Sequence, residues 1–345
     1  MGTRRRRVSV IYFISKLVKW DDLRMEIISN PTQVEIKKAA QALMDGHLVA
    51  FPTETVYGLG ADATNEKAVS RVYSVKGRPT DHPLIVHVSS INLLDKWAID
   101  IPENAIKLAK EFWPGPMTLI LKRSEIAKDF ITGGQENIGV RVPSHPIALA
   151  LLSEFEKLGG QGVVAPSANR FSAVSPTTLA AVSEELAHYL SKSDKFLDGG
   201  QCFIGIESTI LDCSNEMITE LRPGAVTSEL IASRIGLPVK LKQNAKIKTS
   251  GLLEVHYSPS AEVQIGPPVV AGDGFLALAN FESPPGTVRL ASPENNEQYA
   301  KDLYAALRYG DRMGLKKIVV IPPEGSGLAA AINDRLMKSA GKKGT

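Results

Sequence analysis

Lys76 and Arg78 flank a single glycine, and Pro79 follows at once. Arginine offers phosphate oxygens a planar fork of donors, and lysine adds a compact charge. A cation pair with a rigid exit suits a polyphosphate. The competing reading is a solvated helix end, where cations meet the negative pole of the helix. Much later, Pro166-Ser167-Ala168-Asn169 follows an apolar run. Ser167 and Asn169 carry groups for ribose, phosphate or a metal-bound water, although the tetrapeptide alone is also an ordinary turn. Thr53, Thr55 and Tyr57 come just after a strand-like run, where open α/β sheets bind ligands. Their hydroxyls suit a small polar substrate, or equally the continuation of an exposed strand.

Arg141 sits inside Gly139-Val140-Arg141-Val142-Pro143. An arginine on a buried strand needs an anion, from the protein or from a ligand carboxylate. His87 lies in the apolar run 84–88, where a lone histidine is more often a satisfied core residue. Gly205-Ile206-Glu207-Ser208-Thr209 and Leu221-Arg222-Pro223-Gly224 complete the set, Arg222 being a further fixed cation. The chain has no Walker A loop, GxGxxG, HExxH or nucleophile elbow. A nucleotide, if bound, is not held by the common cradles.

These residues need a scaffold, and 345 residues suffice for two domains at roughly 150 residues each. Hydrophobic residues make up 43% and charged residues 22%, which describes a packed protein and excludes a disordered one. A net charge of +3 is too weak to argue for nucleic acid by itself. Cys202 and Cys213, with no CxxC, read as two reduced thiols and not as a disulfide framework or zinc site. No apolar run reaches the roughly 20 residues that span a bilayer, so a cytoplasmic protein without a membrane partner is expected. Arg4 to Arg7 precede an apolar stretch that Lys16 interrupts, without the small-residue cleavage site of a signal peptide. Met25 stands just before the first regular segment, and residues 1–24 read as an extension of doubtful role.

Apolar spacing predicts a helix over 31–46, with Val34, Ile36, Ala39, Ala40 and Leu43 on one face and Gly46 at its end. A strand at 47–51 and a helix from Asn65 to Gly77 follow. Further strands are predicted at 84–88, 117–121, 138–142, 162–165, 208–211 and 218–221, and helices at 103–113 and 146–155. Ser175-Pro176 reads as a helix start, with Ser as N-cap and Pro in the first turn. Alternating elements mean an α/β domain. Strands not regularly separated by helices predict a twisted mixed sheet. Residues 237–260, with Lys240, Lys242, Lys246 and Lys248, read as a linker. Strands at 262–266, 275–280, 288–291 and 317–321, with helices at 295–314 and 328–340, then form a smaller α/β domain.

The ordered series PTETVYGLG, KGRP, PLIVHV, PGPMT, GVRVP, APSAN, STILD and LRPGA resembles the YrdC-like domain of the L-threonylcarbamoyladenylate synthases, over residues 36–230. HYSP at 256–259 and GLAAAINDRL at 327–336 resemble the linker and C-terminal domain of the long, two-domain form. The resemblance implies a YrdC-like catalytic domain at 25–236, a twisted mixed sheet with flanking helices and a concave positive surface. A linker or lid at 237–260 and a Rossmann-like α/β C-terminal domain at 261–345 complete it. It implies a nucleotidyltransferase that joins L-threonine, bicarbonate and ATP into threonylcarbamoyl-AMP and releases pyrophosphate, with Mg²⁺ accompanying ATP. The product would pass to the tRNA threonylcarbamoyl transferase complex for N6-threonylcarbamoylation of adenosine, with weak tRNA binding as a further implication.

Carried over by motif, Lys76, Arg78, Ser167 and Asn169 match the phosphate- and metal-handling set. Thr55, His87, Arg141, Ala165 and Ser208 match the L-threonine positions. Ser175, Arg222 and Tyr257 match nucleotide contacts, which Arg78 and Ser167 share. His82 stands where the pattern has asparagine near the nucleotide, and Asn137 where it has a hydroxyl; both keep hydrogen-bonding capacity. Ser250 and Leu253 depart from the linker pattern, while Gly251 keeps it. The substrates supply the nucleophile in this chemistry, so no Ser-His or Cys-His pair is required, and catalysis is positioning and charge stabilisation. The rival carbamoyl-adenylate-forming maturation enzymes carry zinc-finger cysteines and an acylphosphatase domain, and this chain has two cysteines and neither module. An RNA-binding module of the same fold is the rival from another class. Pyrophosphate release that depends on threonine and bicarbonate separates it from the enzyme.

Overall fold

Thr32 opens the first helix, α1 (Gln33–Met44), with a reciprocal cap. The Glu35 amide donates to Thr32 Oγ1 at 3.4 Å, and the Thr32 amide donates to Glu35 Oε2 at 2.7 Å, satisfying two orphan donors of the first turn. Ile36, Ala39, Ala40 and Leu43 of the predicted stripe are buried, with Ala42 beside them, but Val34, in the first turn, is exposed. Asn65 caps α2 (Glu66–Lys76), and Gly77 ends it at φ 61°, a left-handed conformation that glycine adopts without cost. That turn returns the Arg78 amide to the Tyr73 carbonyl at 2.9 Å, so the two cations leave the helix end in fixed directions. The computed structural model describes residues 27–241 and 256–341. The extension at 1–24 and linker positions Lys242, Lys246, Lys248, Ser250, Gly251 and Leu253 lie outside the described residues.

Eleven strands form one sheet. In chain order they are β1 (Ile27–Ser29), β2 (Val49–Phe51), β3 (Gly58–Asp62), β4 (Ile85–His87), β5 (Met117–Lys122), β6 (Asn137–Arg141), β7 (Val163–Val164), β8 (Lys195–Asp198), β9 (Thr209–Asp212), β10 (Ile218–Arg222) and β11 (Val239–Leu241). The spatial order is β1-β8-β2-β3-β7-β4-β6-β5-β9-β10-β11. Parallel pairs such as β4 with β6 alternate with antiparallel ones such as β5 with β6, the mixed sheet that irregular alternation of elements predicts. Helices α3 (Glu103–Phe112), α4 (Pro146–Lys157), α5 (Leu179–Leu186) and α6 (Ser228–Ile235) flank it. The register sets His87 beside Arg141, which puts both side chains on one face at the ends of their strands.

Five labelled elements are not legible in the sequence: β1, β3, β8, β11 and α6. β3 reads Gly-Leu-Gly-Ala-Asp, which lacks the branched residues of a strand. Packing explains its glycines, because a Cβ at Gly60 would lie 2.8 Å from the Phe51 ring. Two expectations need correction. Ser175-Pro176 does not start a helix; α5 begins at Leu179 with Thr178 as its cap. Pro176 O accepts from the Tyr57 amide at 2.9 Å, Thr177 O from the Cys202 amide at 2.9 Å, and Ser175 Oγ donates to Glu207. Those groups are committed to tertiary partners. The segment 237–260 is not linker throughout, since β11 pairs in parallel with β10 inside the large sheet.

The smaller sheet contains β12 (Glu262–Ile265), β13 (Gly274–Leu276), β14 (Val288–Ala291) and β15 (Lys317–Val320), in the order β12-β15-β13-β14. Its pairs are all parallel, as in a Rossmann-like unit. Helix α7 (Asn296–Arg312) and helix α8 (Leu328–Ala340) pack on it and on the large domain. One apolar cluster joins Val56, Val174 and Ile206 to Tyr299, Leu303 and Tyr304, so the two domains share a core. Along α7, Tyr304, Arg308 and Arg312 recur at helical spacing and reach Glu207, Glu185 and Glu184. Among the described residues no helix is long and apolar enough to cross a membrane.

At Gly205 the backbones of the two domains come close together. Its φ is 84°, and a Cβ there would lie 2.5 Å from Ala300 O and from Lys301 Cα. Gly205→Ala should therefore destabilise the protein by more than about 1 kcal/mol and loosen the docking. Urea unfolding should show a lower midpoint, and limited proteolysis faster cleavage between the domains. Unchanged values in both would show that the interface yields easily.

Candidate active site

The ends of β4 and β6, the turn after β2, and the loops after β7 and before β9 converge on one small cavity of about 50 Å³. Thr55, Arg78, His87, Arg141, Ala165, Ser167, Ser208, Arg222 and Tyr257 line it, together with Glu207 and His256. Nine of the residues expected at a site thus come together across a span running from Thr55 to Tyr257. Lys76, Asn169 and Ser175 stand behind the wall. His82 and Asn137 do not line the cavity: His82 packs edge-on against Phe171 at 5.3 Å, and Asn137 opens β6, the end opposite Arg141. A larger groove of about 920 Å³, bounded by Arg123, Asp129 and Glu136, shares no residue with this cavity. Its arginine already pairs with both acids, at 2.5 and 3.0 Å.

The first cation pair divides its work. Lys76 Nζ donates to the carbonyls of Ser167 at 2.5 Å and Asn169 at 2.6 Å, so it fixes the Pro-Ser-Ala-Asn loop from beneath. Burial, then repulsion from Arg78, holds its pKa well below the ordinary lysine value. Arg78 faces the cavity, braced by carbonyls of His82 at 3.3 Å and Pro83 at 2.9 Å. Burial pulls it to about 10, so it stays charged at neutral pH. The Asn169 amide nitrogen donates to Arg170 O and Ala173 O, while its Oδ1 is buried without a partner.

Arg141 does have a protein anion, which its sequence neighbours did not reveal. Its Nη2 donates to Glu54 Oε1 at 2.5 Å and to Thr55 Oγ1 at 3.0 Å, and its Nε to Gly115 O at 3.3 Å. Glu54 also accepts from the Ser144 amide at 3.0 Å. Nη1 has no protein partner among the described residues. Ser208 Oγ meets Thr118 Oγ1 at 2.8 Å and accepts from Arg222 Nη2 at 3.1 Å. Arg222 Nε donates to Ser208 O at 3.0 Å.

Glu207 is the second acid that sequence reading left unassigned. Oε1 accepts from Ser175 Oγ at 2.6 Å; Oε2 accepts from Tyr304 Oη at 2.8 Å and Arg335 Nε at 3.1 Å. Burial opposes its ionisation, but Arg335 and Arg222 hold it down at about 2. Both acids stand inside quoted motifs, Pro-Thr-Glu-Thr and Gly-Ile-Glu-Ser. Their partners lie 87 and 128 residues away, so no local spacing announces the pairs.

Three polar atoms of cavity residues lack a protein partner: His87 Nδ1, His256 Nδ1 and Tyr257 Oη. Buried polar atoms are rarely left so, and all three belong to residues that line the cavity. Tyr257 also holds a left-handed φ of 61°, uncommon for a bulky residue. Its carbonyl accepts from Ser339 Oγ at 2.9 Å, and its ring packs on His256 at 4.1 Å and Tyr304 at 5.5 Å. Burial, reinforced by Arg141, pushes His87 down to about 3. Burial does the same to His256, with Lys76, Arg78 and Arg222 adding repulsion. Among the described residues no group of three or more His, Cys, Asp or Glu could hold a metal ion.

Comparison with known proteins follows this geometry. The Sua5/YciO/YrdC family model, described as "Telomere recombination", matches residues 41–224. The model described as "Threonylcarbamoyl-AMP synthase, C-terminal domain" matches residues 213–341. The chain is similar to the threonylcarbamoyl-AMP synthase of Pyrococcus abyssi, 39% identical over 327 residues, 89% of this chain and 94% of that protein. It is 37% identical to that of Bacillus subtilis over 344 residues, 93% and 96% of the two chains. The crystal structure of P. abyssi Sua5 complexed with L-threonine superposes with a TM-score of 0.82 at 36% identity, covering 92% of this chain and 98% of that one.

His87 and His256 make stability depend on pH. Both are neutral in the fold down to about pH 3, whereas an unfolded histidine titrates near pH ~6.5. Below that value the unfolded chain binds protons that the folded chain refuses. Stability should fall with falling pH by up to ~1.4 kcal/mol per unit for each histidine. Glu207, depressed in the fold, adds its own loss only as pH falls below the ordinary carboxylate range, about 4.5. Urea unfolding between about pH 7.5 and 5 measures the slope, and His87→Gln should flatten it. An unchanged slope would show that His87 titrates alike in both states.

Proposed function

The chain belongs to the threonylcarbamoyl-AMP synthase family in its long, two-domain form, and on that premise we propose how its site performs the synthesis. The substrates are L-threonine, bicarbonate and ATP. The threonine amine takes up the CO₂ unit of bicarbonate, releasing water and leaving a carbamate. A carbamate oxygen attacks the α-phosphorus, the bond to the β-phosphate oxygen breaks, and pyrophosphate leaves. The observation that carries this reading is the cavity itself, which brings residues of eight separated motifs together around buried cations.

Arg141 is the reader of the threonine carboxylate. Glu54, Thr55 and Gly115 O fix its plane and leave Nη1 for the ligand. Neutral His87, Thr55 and Ala165 form the rest of that pocket. Ser208 supplies a hydroxyl for the threonine side chain, because Thr118 and Arg222 fix its rotor. The nucleotide lies across Arg78, Ser167 and Arg222. Arg78 stabilises charge that develops on the phosphates as pyrophosphate departs. Lys76 acts one step back, by holding the loop that presents Ser167.

Mg²⁺ accompanying ATP would supply charge neutralisation at the phosphates. The chain's own fit to it is neutral oxygen: the Ser167 hydroxyl and Asn169 Oδ1, which is buried and unpartnered. Glu207, which lines the cavity, and Glu54, behind Arg141, are already engaged with arginines. A nucleotide needs far more room than about 50 Å³, since ligand pockets run to roughly 300 Å³ and above. His256 and Tyr257 therefore act as the movable wall, a lid formed by the end of the 237–260 segment. Closure excludes water and protects the labile mixed anhydride. The product is then taken up by the transferase complex that modifies tRNA adenosine.

Mass detection of threonylcarbamoyl-AMP from the purified chain with ATP, Mg²⁺, L-threonine and bicarbonate tests the reading directly. Arg78→Ala should slow pyrophosphate release by about 3 kcal/mol, roughly 100-fold. Arg141→Lys should raise the KM for threonine far more than the KM for ATP, because lysine lacks the fork. Equal rises for both substrates would make Arg141 a structural residue, and normal turnover in Arg78→Ala would remove it from the phosphate site.

A further inference from the structure

A carboxylate in the wall of a polyphosphate cavity is a liability. Glu207 shares its cavity with Arg78 and Arg222, and two like charges a few ångströms apart repel by several kcal/mol even at an effective dielectric of about 20. Among the described residues of the catalytic domain, the Ser175 hydroxyl is the one side chain that hydrogen-bonds to Glu207, and Arg222 adds electrostatic attraction. The remaining side-chain partners come from the other domain: Tyr304 on α7 at 2.8 Å and Arg335 on α8 at 3.1 Å. Arg335 is fully buried. Its Nη2 also donates to Glu207 O at 3.3 Å, and its Nη1 to Pro223 O at 2.7 Å and Asp334 Oδ2 at 2.9 Å. One guanidinium thus ties together the loop before Ser208 and the turn after Arg222.

We propose that Arg335 of the C-terminal domain is a positioning residue for the nucleotide, neutralising Glu207 and fixing the turn that follows Arg222. The C-terminal domain then completes the charge of the catalytic site besides covering it. The same domain anchors the opposite wall. Arg308 pairs with Glu185 at 2.6 Å, and Glu185 accepts from the Arg170 amide at 2.7 Å, one residue beyond Asn169. Arg335 has the larger consequence, because its acid faces the cavity. Without the guanidinium, Glu207 would lose its main compensating charge and set more negative potential against the phosphates. The inference rests on the nucleotide reading above.

The test uses the full chain and initial rates of threonine- and bicarbonate-dependent pyrophosphate release, varying ATP and L-threonine separately. Arg335→Met keeps the bulk and removes the charge. It should raise the KM for ATP at least about tenfold while the KM for threonine stays within about threefold. Adding Glu207→Gln to that variant should restore most of the ATP affinity, since removing both charges of a buried pair leaves no uncompensated ion. If Arg335→Met fails to fold, Glu207→Gln alone decides: its KM for ATP should be no higher than that of the wild type. An unchanged KM for ATP in Arg335→Met overturns the proposal. So does a rise in both KM values that Glu207→Gln does not relieve, which would make Arg335 an interface pillar only. A rise of more than about tenfold in Glu207→Gln alone overturns it too, because the carboxylate itself would then be needed. Wild-type chain that releases no pyrophosphate from ATP would overturn the nucleotide reading, and the inference with it.

Discussion

Arg78, Arg141, Arg222 and Arg335 are all buried within one small volume, with Lys76 just behind them. Burying an unpaired charge costs several kcal/mol even after relaxation, so every other feature of the site answers to that constraint. Two carboxylates balance the cluster from different directions. Glu54 holds Arg141, and Glu207 holds Arg335. Backbone carbonyls supply the rest: His82 and Pro83 for Arg78, Ser208 for Arg222, Ser167 and Asn169 for Lys76. Carbonyls neutralise no charge, and the cluster keeps a positive excess. That excess is what a polyphosphate and a substrate carboxylate would meet.

The fold provides those carbonyls where helices and strands stop. Gly77 turns α2 back on itself so that Lys76 points inward and Arg78 emerges beside the cavity. The His87–Arg141 register places a neutral ring against a guanidinium, and burial reinforced by that guanidinium keeps the ring neutral. The smaller domain contributes its own share. Its helix α7 presents Tyr304, Arg308 and Arg312 along one edge, and each finds an acid of the large domain. The shared apolar cluster around Val56, Val174, Ile206 and Tyr304 makes this more than a surface ion-pair contact. Exposed ion pairs contribute little alone; in the central pair, Arg335 is fully buried and Glu207 nearly so.

The chemistry follows from what the site lacks as much as from what it has. Cys202 and Cys213 are buried, and burial raises both thiols, so neither is primed as a nucleophile. His87 and His256 are held neutral. The groups in place orient substrates and stabilise negative charge, which fits a reaction in which one substrate attacks another.

Much of this was legible in the order of residues. Capping residues, glycine stops and apolar spacing determine α1, α2, α4, α7 and α8 nearly to their ends, because helix signals are local. The motif series alone marks Arg78, His87, Arg141, Ser167, Ser208, Arg222 and Tyr257, all of which line one cavity. Tertiary structure decided what those residues touch. Glycine-rich β3 is a strand only because β2 and β7 pair with it on either side. Ser175 looks like a helix cap, yet Glu207 takes its hydroxyl. Glu54 and Glu207 sit in motifs where spacing suggests nothing, and each finds its arginine far along the chain. The reason is physical: a buried charge selects its partner by distance in the folded interior, and sequence separation carries no record of that distance.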